Sequence, residues 1–125
     1  MDCYILPCEY MGFDTTSIAS SDTFAALQTG VVEGLAGSTP AGAYLNYRDI
    51  IDYYYVYQMS PEVTQIMISE KTLAKLSPED QKTIVDICRQ ECANSVNYAK
   101  EEDEKYLKLM EDNGIKIVRF SDEEI

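Results

Sequence analysis

The chain has 125 residues, 46% of them hydrophobic and 26% charged, with only six glycines and four prolines. That composition suits one globular domain and excludes a disordered polypeptide, and no run of eighteen apolar residues exists to span a bilayer. Acids outnumber bases 22 to 10 for a net charge of −12, which argues against nucleic acid as a partner, because gripping phosphate backbones needs clustered cations.

The opening segment Met1–Gly12 is ambiguous. Tyr4, Ile5, Cys8 and Met11 recur at helical spacing, Pro7 lies among them, and Gly12 is a fitting stop. No basic stretch leads into an apolar one, so no signal peptide is expected here. Asp14–Ile18 is short and β-branched and reads as a strand. A helix follows, with Ser20 or Ser21 as its cap, Asp22 in the first turn, Phe24 and Leu27 on the buried side and Gly30 at the end.

Gly34–Thr39 is a small-residue strand or crossing segment, where another backbone or a ligand can come close. Thr39-Pro40 then combines a cap with a first-turn proline, predicting a helix to about Tyr57 along the stripe Ala43, Tyr47, Ile50, Tyr54, Tyr57. Val63–Ile68 reads as the best strand in the chain, and Ser69–Leu76 as a short helix. Ser77-Pro78-Glu79-Asp80 opens the longest helix, expected to reach about Asp112 and stop at Asn113-Gly114. Its apolar side is Ile84, Ile87, Cys88, Cys92, Val96 and Ala99, then Tyr106, Leu107 and Met110, with Glu101–Glu104 between them as a solvated face. Residues 115–120 form a final strand. Strands alternating with helices argue an α/β fold, with a mixed sheet, flanking helices and a long C-terminal helix.

The chemistry-bearing residues are sparse. Histidine is absent, which removes the commonest general base and metal ligand. The four cysteines, Cys3, Cys8, Cys88 and Cys92, have spacings unlike zinc pairs, and Cys88 and Cys92 fit ordinary helix packing. No phosphate-binding glycine motif and no nucleophile–base pattern occurs, so neither an enzyme, a cofactor nor a metal is expected. Tyr53-Tyr54-Tyr55, with Tyr44, Tyr47 and Tyr57, reads as core packing, a partner-binding face or an aromatic wall beside a ligand. A stand-alone interaction module using this Tyr-rich helix is therefore the alternative function.

The run Ser21–Gly34 (SDTFAALQTGVVEG) resembles a hallmark of the solute-binding proteins of TRAP transporters, the DctP-like family, whose pattern is roughly S-E-x-Y-x-A-L-Q-x-G-V-V-D-G. Asp22, Phe24 and Glu33 stand for the family's Glu, Tyr and Asp; Ala26, Leu27, Gln28, Gly30 and Gly34 match directly. Leu76–Gln81 resembles the family's L-x-P-E-x-Q, and the long helix closing in Asn113-Gly114-Ile115 fits its ending. The resemblance implies a periplasmic or other extracytoplasmic receptor of two α/β lobes, a periplasmic-binding-protein type II-like architecture. Such a receptor carries small carboxylates to the membrane permease subunits. It also implies that this chain corresponds to the C-terminal part alone, a single region at residues 1–125 lacking the N-terminal lobe. The family's carboxylate-pairing arginine would precede Met1, and Arg48 does not occupy its place. Weak solute binding and self-association or domain swapping are the expected consequences.

The family's Q-E-N-P is here Leu35-Ala36-Gly37-Ser38, so Gly37 replaces an asparagine, and Met59 stands where many members have histidine. Each change removes a polar handle. The ligand-binding candidates that remain are Gly37, Ser38, Thr39 and Tyr44, the first three of them small residues that serve equally for a tight crossing of the chain.

Overall fold

The computed structural model describes residues 4–57 and 65–121. Two compact units emerge, one from Met1–Met59 with Asp103–Ile125, the other Ser60–Glu102.

The first unit begins with helix α1 (Ile5–Tyr10), which buries Cys8, and helix α2 (Ser20–Gln28), which buries Ala26. The cap of α2 is Ala19, without a side-chain bond; both expected serines are already helical or at its start, while Asp22 does sit in the first turn. Phe24 remains 40% exposed and Leu27 half-buried, so the small Ala26 is the contact residue. The expected strand at Asp14–Ile18 is not formed; the segment has no regular structure.

Helix α3 spans Pro40–Tyr47 and ends ten residues short of expectation. A turn over residues 48–50 follows, then strand β1 (Tyr53–Val56). The tyrosine run is therefore a strand and not a helix, which corrects the Tyr-rich helix of the sequence reading. The strand alternates as a two-residue period demands, with Tyr53 and Tyr55 exposed and Tyr54 and Val56 half-buried. β1 pairs in parallel with β2 (Lys116–Arg119), Tyr54 opposite Ile117, in a two-stranded sheet. Among the described residues no third strand joins it. The expected mixed sheet is thus reduced to one parallel pair, although a small sheet with helices keeps the α/β character.

The core lies where α3, the sheet and the end of helix α5 (Pro78–Asp112) meet. Ala43, Met110 and Ile115 are buried, with Tyr44, Ile51, Tyr54 and Ile117 packed on them. Gly114 makes this possible. Its φ of +88° closes α5, the Gly114 N–H reaching the Glu111 carbonyl and the Ile115 N–H the Met110 carbonyl, both at 2.9 Å. This reversal turns Ile115 back onto Met110, the apolar contact usual for such a cap. Asn113 Nδ2 then donates to the Arg48 carbonyl at 3.2 Å and ties down the turn before β1.

In the second unit, Ser69 caps helix α4 (Glu70–Leu73) through the Thr72 N–H. Ser77 starts α5 as expected, accepting from the Asp80 N–H at 3.1 Å and donating to Asp80 Oδ2 at 2.7 Å. Ile84 and Cys88 are half-buried, but Ile87, Cys92, Val96 and Ala99, expected on the buried side, are exposed. Residues 65–69 form no strand, and the rest of the strand expected at Val63–Ile68 lies outside the described residues, as do Cys3 and Met59.

Candidate functional site

Gly37, Ser38 and Thr39 form the turn that feeds α3, and local chemistry shapes all three. Thr39 is extended (φ −65°, ψ 159°) and its Oγ1 accepts the Gly42 N–H at 3.1 Å, with Pro40 next as the first helical residue. This satisfies one of the donors that a helix start leaves unpaired. Ser38 Oγ donates to the Thr39 carbonyl at 3.4 Å, and it stands 3.0 Å from where a Cβ on Gly42 would lie. Gly37 has φ +88°, the left-handed region that glycine enters freely. The Tyr4 ring fills the space that a side chain at Gly37 would need.

The structure thus brings three of the four candidates into one turn. Tyr44 lies further along α3, about 7 Å of helical rise beyond Thr39. Its ring packs against Tyr106, with centroids 5.7 Å apart, and the Arg48 guanidinium sits 5.2 Å from its centroid. Those partners make Tyr44 part of the packing between α3 and α5.

Two residues absent from the sequence candidates touch the turn. Tyr4 is one. The other is Tyr54, whose hydroxyl donates to the Ser38 carbonyl at 3.0 Å. Burial, and then the negative charge of Asp103, push the Tyr54 hydroxyl up to about 12, so it keeps its proton and remains a donor at ordinary pH. The helical stripe already marked Tyr54 as inward-facing, but only the pairing of β1 with β2 brings its hydroxyl to the turn.

One hollow of the unit lies elsewhere. This hollow measures about 410 Å³ and is lined by residues 48–52 and 113–115. A second hollow of about 400 Å³, in the other unit, is lined by Ile66, Glu91, Cys92, Asn94, Ser95 and Tyr98. Neither includes a candidate residue. The arginines are engaged with other groups: Arg48 with Tyr44 and Asp49, Arg89 with Asp86, and Arg119 with Glu104. Among the described residues no three of Cys, Asp and Glu gather as a metal-binding group, and no helix is long and apolar enough to cross a membrane.

Residues 4–125 match the family model of DctP, described as bacterial extracellular solute-binding protein, family 7. No curated protein and no solved structure matches the chain. The match takes in the α2 run with its Gly30 stop and both ends of α5, the stretches that carry the resemblance in sequence, as well as the turn before α3, which departs from the family's pattern. The chain therefore belongs to the DctP family, the solute-binding proteins of TRAP transporters, which are transport receptors and not enzymes.

Proposed function

We propose that this chain is the extracytoplasmic solute-binding component of a TRAP-type transporter for small organic acids, and that Gly37, Ser38, Thr39 and Tyr44 contact the ligand. The observation that carries the reading is the family match over residues 4–125. The turn's geometry supports it. A chain of net charge −12 repels carboxylates at long range, so a carboxylate must find local positive potential. The start of α3 offers it chiefly through the helix dipole, because Pro40 has no N–H and the Gly42 N–H is held by Thr39 Oγ1.

Affinity of these 125 residues on their own is weak. Arg48 lies over the Tyr44 ring and Arg119 pairs with Glu104, whereas a bidentate guanidinium contact is the strongest handle a carboxylate can have. In a two-lobed receptor, hinge closure would add the remaining contacts before delivery to the permease subunits.

Nitrogen-15 amide spectra recorded during titration with succinate, lactate and pyruvate test the reading, because they detect even millimolar binding. Saturable shifts centred on Gly37–Gly42 and Tyr44 are expected with at least one acid. Shifts absent from this turn, or scattered over the surface, overturn the assignment.

A further inference from the structure

We propose that Tyr4 and Tyr54 are positioning residues of the Gly37–Thr39 turn: neither needs to touch the ligand, and both set the backbone that does. The inference rests on the functional reading above and deepens it.

Three observations converge. First, the Tyr4 ring stands where any side chain at Gly37 would go, so ring and glycine form a fitted pair at a backbone conformation that only glycine adopts without strain. Second, the next peptide is held by a long-range bond, the Tyr54 hydroxyl to the Ser38 carbonyl, sixteen residues apart and 3.0 Å long. Third, the Tyr54 ring is packed on the buried cluster of Ala43, Met110 and Ile115, so the donor is fixed by the core and not by the loop itself.

The hydroxyls of Ser38 and Thr39 are already directed to backbone groups of the turn and of α3. What the turn can present to an anion is therefore chiefly its backbone, and the backbone's shape is the property to preserve. A turn held rigid before binding loses less conformational freedom when the ligand arrives. Tyr55, on the opposite face of β1 and 58% exposed, has a hydroxyl with no such role and serves as the control.

The test compares the wild-type chain with Tyr54→Phe, Tyr4→Leu and the control Tyr55→Phe, using amide hydrogen exchange and titration with succinate, lactate and pyruvate. Tyr54→Phe and Tyr4→Leu should speed exchange at residues 38, 39 and 41–43 while Leu107–Met110 stay as protected as in wild type. A merely structural role would instead lower protection throughout the unit. Affinity for any acid that binds should fall roughly three- to tenfold in Tyr54→Phe, the range of one hydrogen bond, fall also in Tyr4→Leu, and stay unchanged in Tyr55→Phe. Unchanged local exchange, or unchanged affinity for an acid that wild type binds at the turn, overturns the proposal. Should none of the three acids bind wild type, the carboxylate reading falls, and the exchange data alone decide on the two tyrosines. If Tyr54→Phe does not fold, Tyr4→Leu carries the same comparison.

Discussion

Gly37 and Gly114 have the same φ of +88°, yet their surroundings differ in one respect: a side chain at Gly114 meets nothing within 4 Å, whereas one at Gly37 runs into Tyr4. Alanine at either position is forced into the left-handed region, at about 1–2 kcal/mol. Gly37→Ala adds steric conflict with the ring, and overpacking of that kind costs a further 1–3 kcal/mol or so. Urea unfolding should therefore show Gly37→Ala as clearly the more destabilised of the two, and Tyr4→Leu should shrink the difference because the pair is coupled. Equal losses would show that the ring yields without cost. Tyr54 permits a second test at this scale. Its hydroxyl titrates at about 12 in the folded chain, against 10.0 without the fold. Between those values the unfolded chain has released this proton and the folded chain still holds it. Stability consequently falls as pH rises from 10 to 12, with no contribution to the slope below 10. Tyr54→Phe should lose that part of the alkaline fall, and the wild-type-minus-variant absorbance at 295 nm should step near pH 12. A step at 10 would place the hydroxyl in water.

The elements divide by whether local chemistry suffices to specify them. The start of α5 does: Ser77, Pro78 and the acids Glu79 and Asp80 are a complete helix signal, and the observed bonds between Ser77 and Asp80 follow from it. Ser77→Ala should cost about 1 kcal/mol and raise amide exchange over the first turn, residues 79–82. A loss below a few tenths would mean that the preceding backbone caps the helix without the hydroxyl. The end of α5, the Thr39-Pro40 start of α3 and the short capped α4 were legible for the same reason. β1 was not. Ala43, Tyr47, Ile50 and Tyr54 fit a helical stripe, and nothing nearby in sequence announces the break after Tyr47. The break depends on partners some sixty residues away, Asn113 at the Arg48 carbonyl and β2 along Tyr53–Val56. The candidate site divides likewise. Small residues ahead of a capped helix marked Gly37, Ser38 and Thr39, whereas Tyr4 and Tyr54 reach the turn only through tertiary structure.

At the scale of the whole molecule, burial is unevenly shared. Cys8, Ala26, Ala43, Leu107, Met110 and Ile115, the buried apolar residues, all belong to the unit built from residues 1–59 and 103–125. Among the described residues of the other unit none is fully buried, and residues 91–100 of α5 are exposed on every side. The ion pair Lys82–Asp86, one turn apart at 2.6 Å, adds only about 0.3–0.5 kcal/mol at such exposure. A helical stretch without a buried face rests on intrinsic propensity and on continuity with its neighbours, both small terms in water. Opening of residues 86–100 should therefore be cheaper than opening of residues 105–112, which carry Leu107 and Met110 into the core. Brief trypsin treatment should cut after Arg89 and Lys100 before it cuts after Lys105 or Lys108, and amide exchange should rank the two stretches in the same order. Uniform protection along α5 would mean that the exposed stretch is covered in solution, by a second copy or by another chain.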